Sequence, residues 1–467
     1  MAFLRKEKKG DSIYLSICES FRDAAGKPQR RVLRQLGNVN DFGQDALERI
    51  GQQLIELAKG PKPEPTGLAE LARYNYGFPL IVNQLFKNYD LDNLFTRLTR
   101  KHKLSFSLAQ HIQLMLCDRF NDPLSKLGSY RCQNDYIGLG DPVELQHIYR
   151  TLDYLSTHNH LIQTHIYNKN RTLFNYDLDV VFYDVTTFYY DSQVQQEGAL
   201  RQLGFGKDGK VGQTQILFSL LIDKNKIPIG FEIFKGNQYE GNTFKTAIEK
   251  LKKTYNINRI IVVADSGMLN ANNIALFDKD GVADGFEYIV GDRLKSLSAA
   301  AITHLTTLKN YSKTTVKNSD NEAVILQFCT YQYKGRTLIS TYSESRAKKD
   351  KADREQRIAA AEKLIKQPSG LDKKASRYFI KNEADKKYLL DQTKIDKQLK
   401  FDGFKVIATN AKDITPAQAL EKYKDLYKIE QSFRSFKSYF ETRPMFHWTD
   451  KRIEGHIVLC YIAFCWL

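Results

Sequence analysis

A glutamate set among cations is the first feature able to do chemistry. In the stretch Tyr423-Lys424-Asp425-Leu426-Tyr427-Lys428-Ile429-Glu430-Gln431-Ser432-Phe433-Arg434-Ser435-Phe436-Lys437, a helical advance of about 100° per residue puts Tyr423, Tyr427, Glu430, Arg434 and Lys437 on one stripe. Leu426, Ile429, Phe433, Phe436 and Phe440 fall on an adjacent apolar stripe. Such a helix buries its phenylalanines and presents one acid beside groups that grip phosphate. Two aspartates have complementary settings: Asp184 lies in the middle of DLDVVFYDVTTFYYDS, and Asp265 closes the apolar run RIIVVADSGML. An acid inside a strand is costly unless its burial is incomplete or a cation compensates it.

Three carboxylates brought within a few ångströms repel one another. Two divalent cations about 3.5–4 Å apart relieve that repulsion while activating water and stabilising a leaving 3′ oxygen. Oxygen-only ligands favour Mg²⁺ or Mn²⁺ over zinc, so the expected metal ligands are Asp184, Asp265 and Glu430. Asp292 and Glu240 remain open as further acids near strand ends or loops, whereas Asp191 and Asp223 read as turn residues. His111, His147, His158, His160 and His165 have no Cys or acid completing a ligand set and read as core or surface residues. The loop GFGKDGK, residues 204–210, lacks the strand-to-helix setting of a phosphate cradle and reads as a hairpin turn.

The elements that must position these acids follow from periodicity. Residues 12–20 and the segment QRRVLRQLG form an antiparallel pair, with Arg30, Arg31 and Arg34 crowding the second strand as a basic ribbon suited to a DNA backbone or as the protective charge of a solvated edge. A helix over about 44–59 carries Leu47, Ile50, Leu54 and Leu57 on one face. The run Pro61-Lys62-Pro63-Glu64-Pro65 reads as a stiff linker. From about 67 to 169 the pattern is helical throughout. From residue 178 it changes to three strands, a helix and a buried strand ending at Asp265. This is the order of an α/β, ribonuclease H-like mixed sheet. A further strand ends at Asp292, and about a hundred residues with β-strands and the charged helix SRAKKDKADREQRIAAAEKLIKQ, read as a solvated surface, intervene before a helix starting at Thr415-Pro416. The resulting divisions are 1–60, a basic hairpin plus helix; 61–172, a helical domain; 173–293, the first part of the core; 294–411, an insertion; and 412–467, the helices carrying Glu430.

Composition sets the class of partner. The chain has 467 residues, 42% hydrophobic and 12% aromatic, which suits a folded protein of more than one ordinary core. With 70 Lys+Arg against 54 Asp+Glu, its formal charge of +16 points to nucleic acid. The longest apolar run, at the C-terminal end, falls short of the roughly 20 residues of a membrane span, and MAFLRKEKKG has no apolar signal core. A cytoplasmic protein is expected. Six scattered cysteines without a CxxC pair read as buried thiols.

Several of these stretches together resemble one family. FYDVTTFYYDS, VVADSGML, FDGFKVIATN, YKIEQSFRSFK and FETRPMFHWTDKRIEGHI are similar to the DDE transposases of bacterial insertion sequences, in the group carrying a Tyr-x2-Arg-x3-Glu-x6-Lys signature. The resemblance spans roughly residues 170–467, and GKPQRRVLRQLG also looks like family members. It implies a ribonuclease H-like fold with a β-rich insertion, Asp184, Asp265 and Glu430 as the catalytic triad, and Tyr423 and Lys437 as the signature's Tyr and Lys. It also implies Mg²⁺ dependence, cleavage at element ends and strand transfer, with double-stranded DNA (terminal inverted repeats and target) as partner, a homodimer formed on it and association with the bacterial nucleoid; Tyr423, Arg434 and Lys437 are expected to hold DNA phosphates near the cut. Where the signature has Arg, this chain has Leu426, so Arg434, one turn beyond Glu430, is expected to supply the guanidinium. The apolar pattern GHIVLCYIAFCWL runs to the last residue, which keeps open the alternative of a truncated, catalytically inactive remnant that only binds DNA.

Overall fold

The computed structural model describes residues 2–23, 26–58, 72–100, 104–174, 178–194, 199–204, 212–255, 257, 259–268, 270–278, 281–317, 323–366, 380–383 and 387–466. The linker at 61–65 and residues 205–210 of the glycine-rich loop lie outside them. Two compact units emerge, Met1–Arg73 and Tyr74–Leu467.

In the first unit, β1 (Ala2–Lys9), β2 (Ser12–Arg22) and β3 (Pro28–Asn38) form an antiparallel sheet in that order, followed by α1 (Gln44–Ala58). The β2–β3 pair matches the expected ribbon; β1 was not anticipated, because AFLRKEKK is too charged to read as a strand. Arg30, Arg31 and Arg34 are exposed on β3, and Arg31 pairs with Glu19 across the sheet at 2.6 Å. Ile50, Leu54 and Leu57 of the apolar face of α1 are exposed.

The second unit begins with helices α2 (Gly77–Tyr89), α3 (Leu91–Thr99), α4 (Leu108–Asn121), α5 (Lys126–Arg131), α6 (Leu145–Thr157) and α7 (Asn159–Phe174). The sheet strands follow as β4 (Val180–Tyr189), β5 (Gln202–Leu203), β6 (Thr214–Asp223) and β7 (Pro228–Lys235), then α8 (Phe244–Lys253), β8 (Ile261–Ala264), α9 (Ala271–Ala275), β9 (Glu287–Asp292) and α10 (Ala299–Thr306). Next come β10 (Ser312–Lys317), β11 (Ala323–Tyr333), β12 (Arg336–Tyr342), α11 (Glu344–Lys366), β13 (Ile380–Glu383), β14 (Lys387–Leu390), α12 (Gln392–Leu399) and β15 (Phe404–Thr409). Three helices close the chain: α13 (Pro416–Lys424), α14 (Tyr427–Arg434) and α15 (Asp450–Phe464).

The sheet is mixed, in the order β10-β11-β12-β15-β9-β8-β4-β6-β5 with β7 also on β6. β4, β8 and β9 run parallel, while β6 and β15 are antiparallel to their neighbours β4 and β9. Strands of the 294–411 segment therefore extend the sheet, because β12 pairs with β15, which pairs with β9. The α2–α7 helices likewise belong to the same compact unit as the sheet. Alternation along the strands feeds two cores. Phe182, Phe188, Val263, Ile289 and Ile407 pack with helices α2–α4, α6, α7 and α13–α15, whereas Tyr183, Val262, Val290 and Val406 pack with α8 and α10.

The apolar C-terminal run forms α15, buried on all sides from Ile457 to Phe464 against α4, α6 and α7. Among the described residues no helix is long and apolar enough to cross a membrane. The cysteines are free, with Cys132 and Cys465 half-buried and the other four buried. His111 and His147 pack against Phe106, and His165 bonds to the Tyr89 carbonyl. The charged helix α11 is not wholly solvated: Arg354 is buried and paired with Asp402, and Ala361 and Leu364 of the same helix are buried as well.

α15 crosses α6 at Gly455, where a Cβ would stand 2.0 Å from the Leu152 carbonyl oxygen. Gly455→Ala must force two packed backbones apart, so equilibrium denaturation is expected to show a loss of at least about 2 kcal/mol. An unchanged midpoint would mean the crossing is looser than this contact requires.

Candidate active site

The parallel ladder between β4 and β8 ends at Tyr183 opposite Ala264. The next residues are Asp184 and Asp265, so the two aspartates leave adjacent strands at the same level. Both share strand parity with Phe182 and Val263 and so face the helices of the first core. β8 stops there while β4 continues, paired on its other side with β6 (Asp184 opposite Leu220). The acids thus stand at the carboxyl end of a parallel strand where the sheet changes direction, a position that α/β sheets favour for ligands. Asp184 is half-buried and accepts the Val185 N–H at 2.7 Å; Asp265 is exposed.

The segment expected to be one continuous helix bearing Tyr423 through Lys437 is instead three pieces. α13 carries Tyr423. A tight turn at Asp425-Leu426, with Leu426 N–H bonded to Tyr423 O, leads into α14, and Ser435–Tyr439 is a π-helical turn holding Lys437. The stripes therefore do not advance evenly. The apolar one survives: Leu426, Ile429, Phe433, Phe436 and Phe440 are all buried. The polar one divides, with Tyr423 buried, Lys437 half-buried, and Tyr427, Glu430 and Arg434 exposed on α14. α14 packs on β4 and β6, which brings Glu430 to the side of the sheet that Asp184 faces.

Tyr423 reaches into the site, its hydroxyl donating to Asp265 Oδ1 at 3.4 Å. Burial first, then the Asp265 charge, raises the phenol's pKa well above the ordinary tyrosine range, which fixes it as a donor. This approach depends on Gly291 of β9, where a Cβ would meet the Tyr423 hydroxyl at 2.5 Å and Ser266 N at 3.0 Å. Lys405 of β15 lies on the same sheet face and places its ammonium 4.6 Å from the Tyr423 ring centre. Desolvation and Arg346 lower the Lys405 pKa, while Asp265 and Glu430 oppose that shift. A cleft of about 590 Å³ opens beside Asp265, lined also by Tyr423, Lys405, Arg346, Arg354 and Arg357; Asp184 and Glu430 lie outside its lining.

Among the described residues, no three His, Cys, Asp or Glu side chains are gathered closely enough to hold a metal ion. Asp184, Asp265 and Glu430 converge on one sheet face without forming a closed three-ligand cage. Two neighbouring carboxylates with hard oxygen donors still fit a divalent cation of the Mg²⁺ or Mn²⁺ kind. The other acids are committed elsewhere. Asp292, its carboxylate buried, pairs with Arg336 at 3.0 Å; Asp223 accepts the Asn225 and Ile227 N–H groups of the β6–β7 turn; Asp191 accepts from Gln213. Glu240 sits in a 3₁₀ turn whose Thr243 hydroxyl bonds to Tyr183, beneath Asp184 on the opposite face. Lys405, Arg346 and Gly291 were not singled out from sequence. Lys405 stands in the quoted segment FDGFKVIATN, so that segment was the available signal for it.

Residues 175–466 match the Transposase DDE domain family, and residues 4–64 match the IS1634 family transposase N-terminal domain. The chain belongs to the DDE transposases of insertion sequences. Among solved structures, it is similar to the piggyBac transposase synaptic complex with hairpin DNA, at 9% identity and a TM-score of 0.38, covering 83% of this chain and 74% of that one. No curated protein matches it.

If Gly291 exists to admit the Tyr423 hydroxyl, Gly291→Ala and Tyr423→Phe must couple. The alanine is expected to cost less stability in the Tyr423→Phe background than in the parent, by at least about 0.5 kcal/mol in a double-mutant cycle. Additive effects would separate the two residues.

Proposed function

We propose that the chain is a transposase that cuts double-stranded DNA at the terminal inverted repeats of its element and joins the freed ends to target DNA, acting as a homodimer on the DNA. Asp184, Asp265 and Glu430 are the catalytic carboxylates, on a ribonuclease H-like core. The observation that carries the reading is the in-register pair Asp184 and Asp265 beside the end of β8, with α14 and its Glu430 packed over β4.

Asp184 and Asp265 are the residues that would hold a divalent cation, Mg²⁺ or Mn²⁺, with Glu430 completing the set. Bound there, the cation would lower the pKa of water and offset charge on the reacting phosphate. The chain's own groups do the rest. Tyr423 orients Asp265 through its hydroxyl and, being held protonated, takes no proton from it. Lys405 and Arg346 supply positive charge next to the carboxylates, where a phosphodiester would lie. In the first reaction water adds to the scissile phosphorus, the P–O3′ bond breaks and the 3′ oxygen leaves with a proton. In the second, that 3′-OH attacks a target phosphodiester and displaces its 3′ oxygen. Arg434 and Lys437 hold flanking phosphates, and Arg30, Arg31 and Arg34 of the basic ribbon bind DNA within the N-terminal unit.

Asp184→Ala is expected to lower Mg²⁺-dependent cleavage of end-bearing DNA on the order of 10³-fold or more while leaving DNA binding intact. Retained cleavage would refute the assignment. Leu426 is buried, so no guanidinium at that position serves the site, and Arg434 is the exposed alternative on the same segment. Arg434→Ala should weaken binding to element ends by about tenfold; unchanged binding and cleavage would remove Arg434 from the site.

A further inference from the structure

A second pocket, of about 290 Å³, shares no lining residue with the carboxylate cleft. It lies between the start of α5 and the loop that leads from the π-helical turn into α15. Its floor contains two buried cations, Lys126 and Arg119, only 3% and 4% exposed. Arg119 donates to the Phe440 and Leu124 carbonyls at 2.6 and 3.1 Å, which leaves Nε without a partner. Lys126 Nζ and His456 Nδ1 are also without partners among the described residues.

Among the described residues no neighbouring group hydrogen-bonds these donors, although Asp118 attracts Lys126 through its charge and Glu441 also lines the pocket. His447 and His456, 5.1 Å apart, are held far below the ordinary imidazole range by burial and by Lys126 and Arg119, so they add no charge. Asp118 on α4 is the carboxylate that acts on Lys126: its Oδ1 accepts the Tyr136 hydroxyl at 3.1 Å, its buried Oδ2 has no hydrogen-bond partner among the described residues, and burial raises its pKa against the opposing charges of Lys126 and Arg119. At the rim, Arg452 pairs with Asp153 at 3.6 Å and lies over the Tyr149 ring. Burial and Arg119 bring the Lys126 ammonium down to about 7, so an arriving anion would restore its charge. Buried donors with no acceptor are rare in folded proteins and call for an explanation.

We propose that this pocket binds a phosphate group, with Lys126 Nζ and Arg119 Nε as its buried donors and Arg452 at its rim. A phosphate offers several acceptor oxygens and two negative charges or one, which suits cations converging from α4, α5 and α15. The pocket's loop is tied to the catalytic strand, Met445 N–H donating to Tyr189 O at 3.1 Å. Tyr189 is five residues beyond Asp184 on β4. At about 3.3 Å per residue the tie lies roughly 16 Å along the strand, about five steps of a DNA strand. A backbone phosphate of DNA engaged at the carboxylates is therefore one source of the ligand, a point that rests on the transposase reading; free inorganic phosphate is the other.

Two measurements on the full chain and on Lys126→Met decide it. The first compares melting temperature in inorganic phosphate and in chloride at matched ionic strength. The second measures binding of an element-end duplex across a salt series. Lys126→Met should melt no lower than the parent without phosphate, because an unpaired buried cation has been removed. Phosphate stabilisation of the parent that the variant loses identifies a free-phosphate site. A shallower salt dependence in the variant, by about 0.9 in the log–log slope, identifies a DNA phosphate. Parent and variant alike in both measurements would overturn the proposal. If Lys126→Met fails to fold, Arg452→Gln must show a smaller loss of the same sign, and no loss would overturn it equally. Should the parent not bind or cut DNA at all, the transposase reading falls and the inorganic phosphate series alone decides the pocket.

Discussion

Two aspartates at one level on adjacent parallel strands are an electrostatic liability, and much of the surrounding structure responds to it. The register that places Tyr183 opposite Ala264 leaves Asp184 and Asp265 side by side on one face. Like charges so placed favour a bound cation. The protein meets part of that demand from its own chain. Tyr423 donates to Asp265, Gly291 clears space for the hydroxyl, and Lys405 and Arg346 bring positive charge from β15 and α11. A divalent cation would meet the remainder. Glu430 is exposed and is not gathered with the aspartates into a three-ligand cluster among the described residues.

Positioning these groups explains the order of the sheet. β4 must pair with β8 in parallel to align the aspartates, and with β6 antiparallel to carry the strand past the point where β8 stops. β15 returns beside β9, which puts Lys405 on the face shared by Asp265 and Gly291. The phenylalanines of α14 and the π-helical turn anchor the glutamate-bearing segment on that face: Phe433 meets Phe218 of β6 edge-on and Phe436 packs against it at a tilt. α15 buries the other side of that segment, with Phe464 against Phe436.

Asp184 and Asp265 were legible because an acid inside or closing an apolar β-branched run stands out against its neighbours. The apolar stripe from Leu426 to Phe440 was equally legible, since burial follows side-chain type. The break of that segment into α13, α14 and a π-helical turn was not, because no proline or glycine marks it and the insertion answers to packing on the sheet. Lys405 and Gly291 acquire meaning only when β15 and β9 are neighbours, and their separation in sequence hides that. α11 read as solvated because its charges alternate, yet Arg354 is buried against Asp402. The cations Arg119 and Lys126 were hidden by sequence separation, as Lys405 and Gly291 were: their shared pocket is lined by a loop more than three hundred residues away.

The central claim is that Asp184 and Asp265 form one cation site. Calorimetric titration of Mn²⁺ into the full chain, its Asp184→Asn variant and its Asp265→Asn variant tests it without requiring DNA or turnover. The account predicts measurable binding by the parent and a loss of more than about tenfold in each variant. Equal Mn²⁺ affinity in the parent and either variant would contradict it.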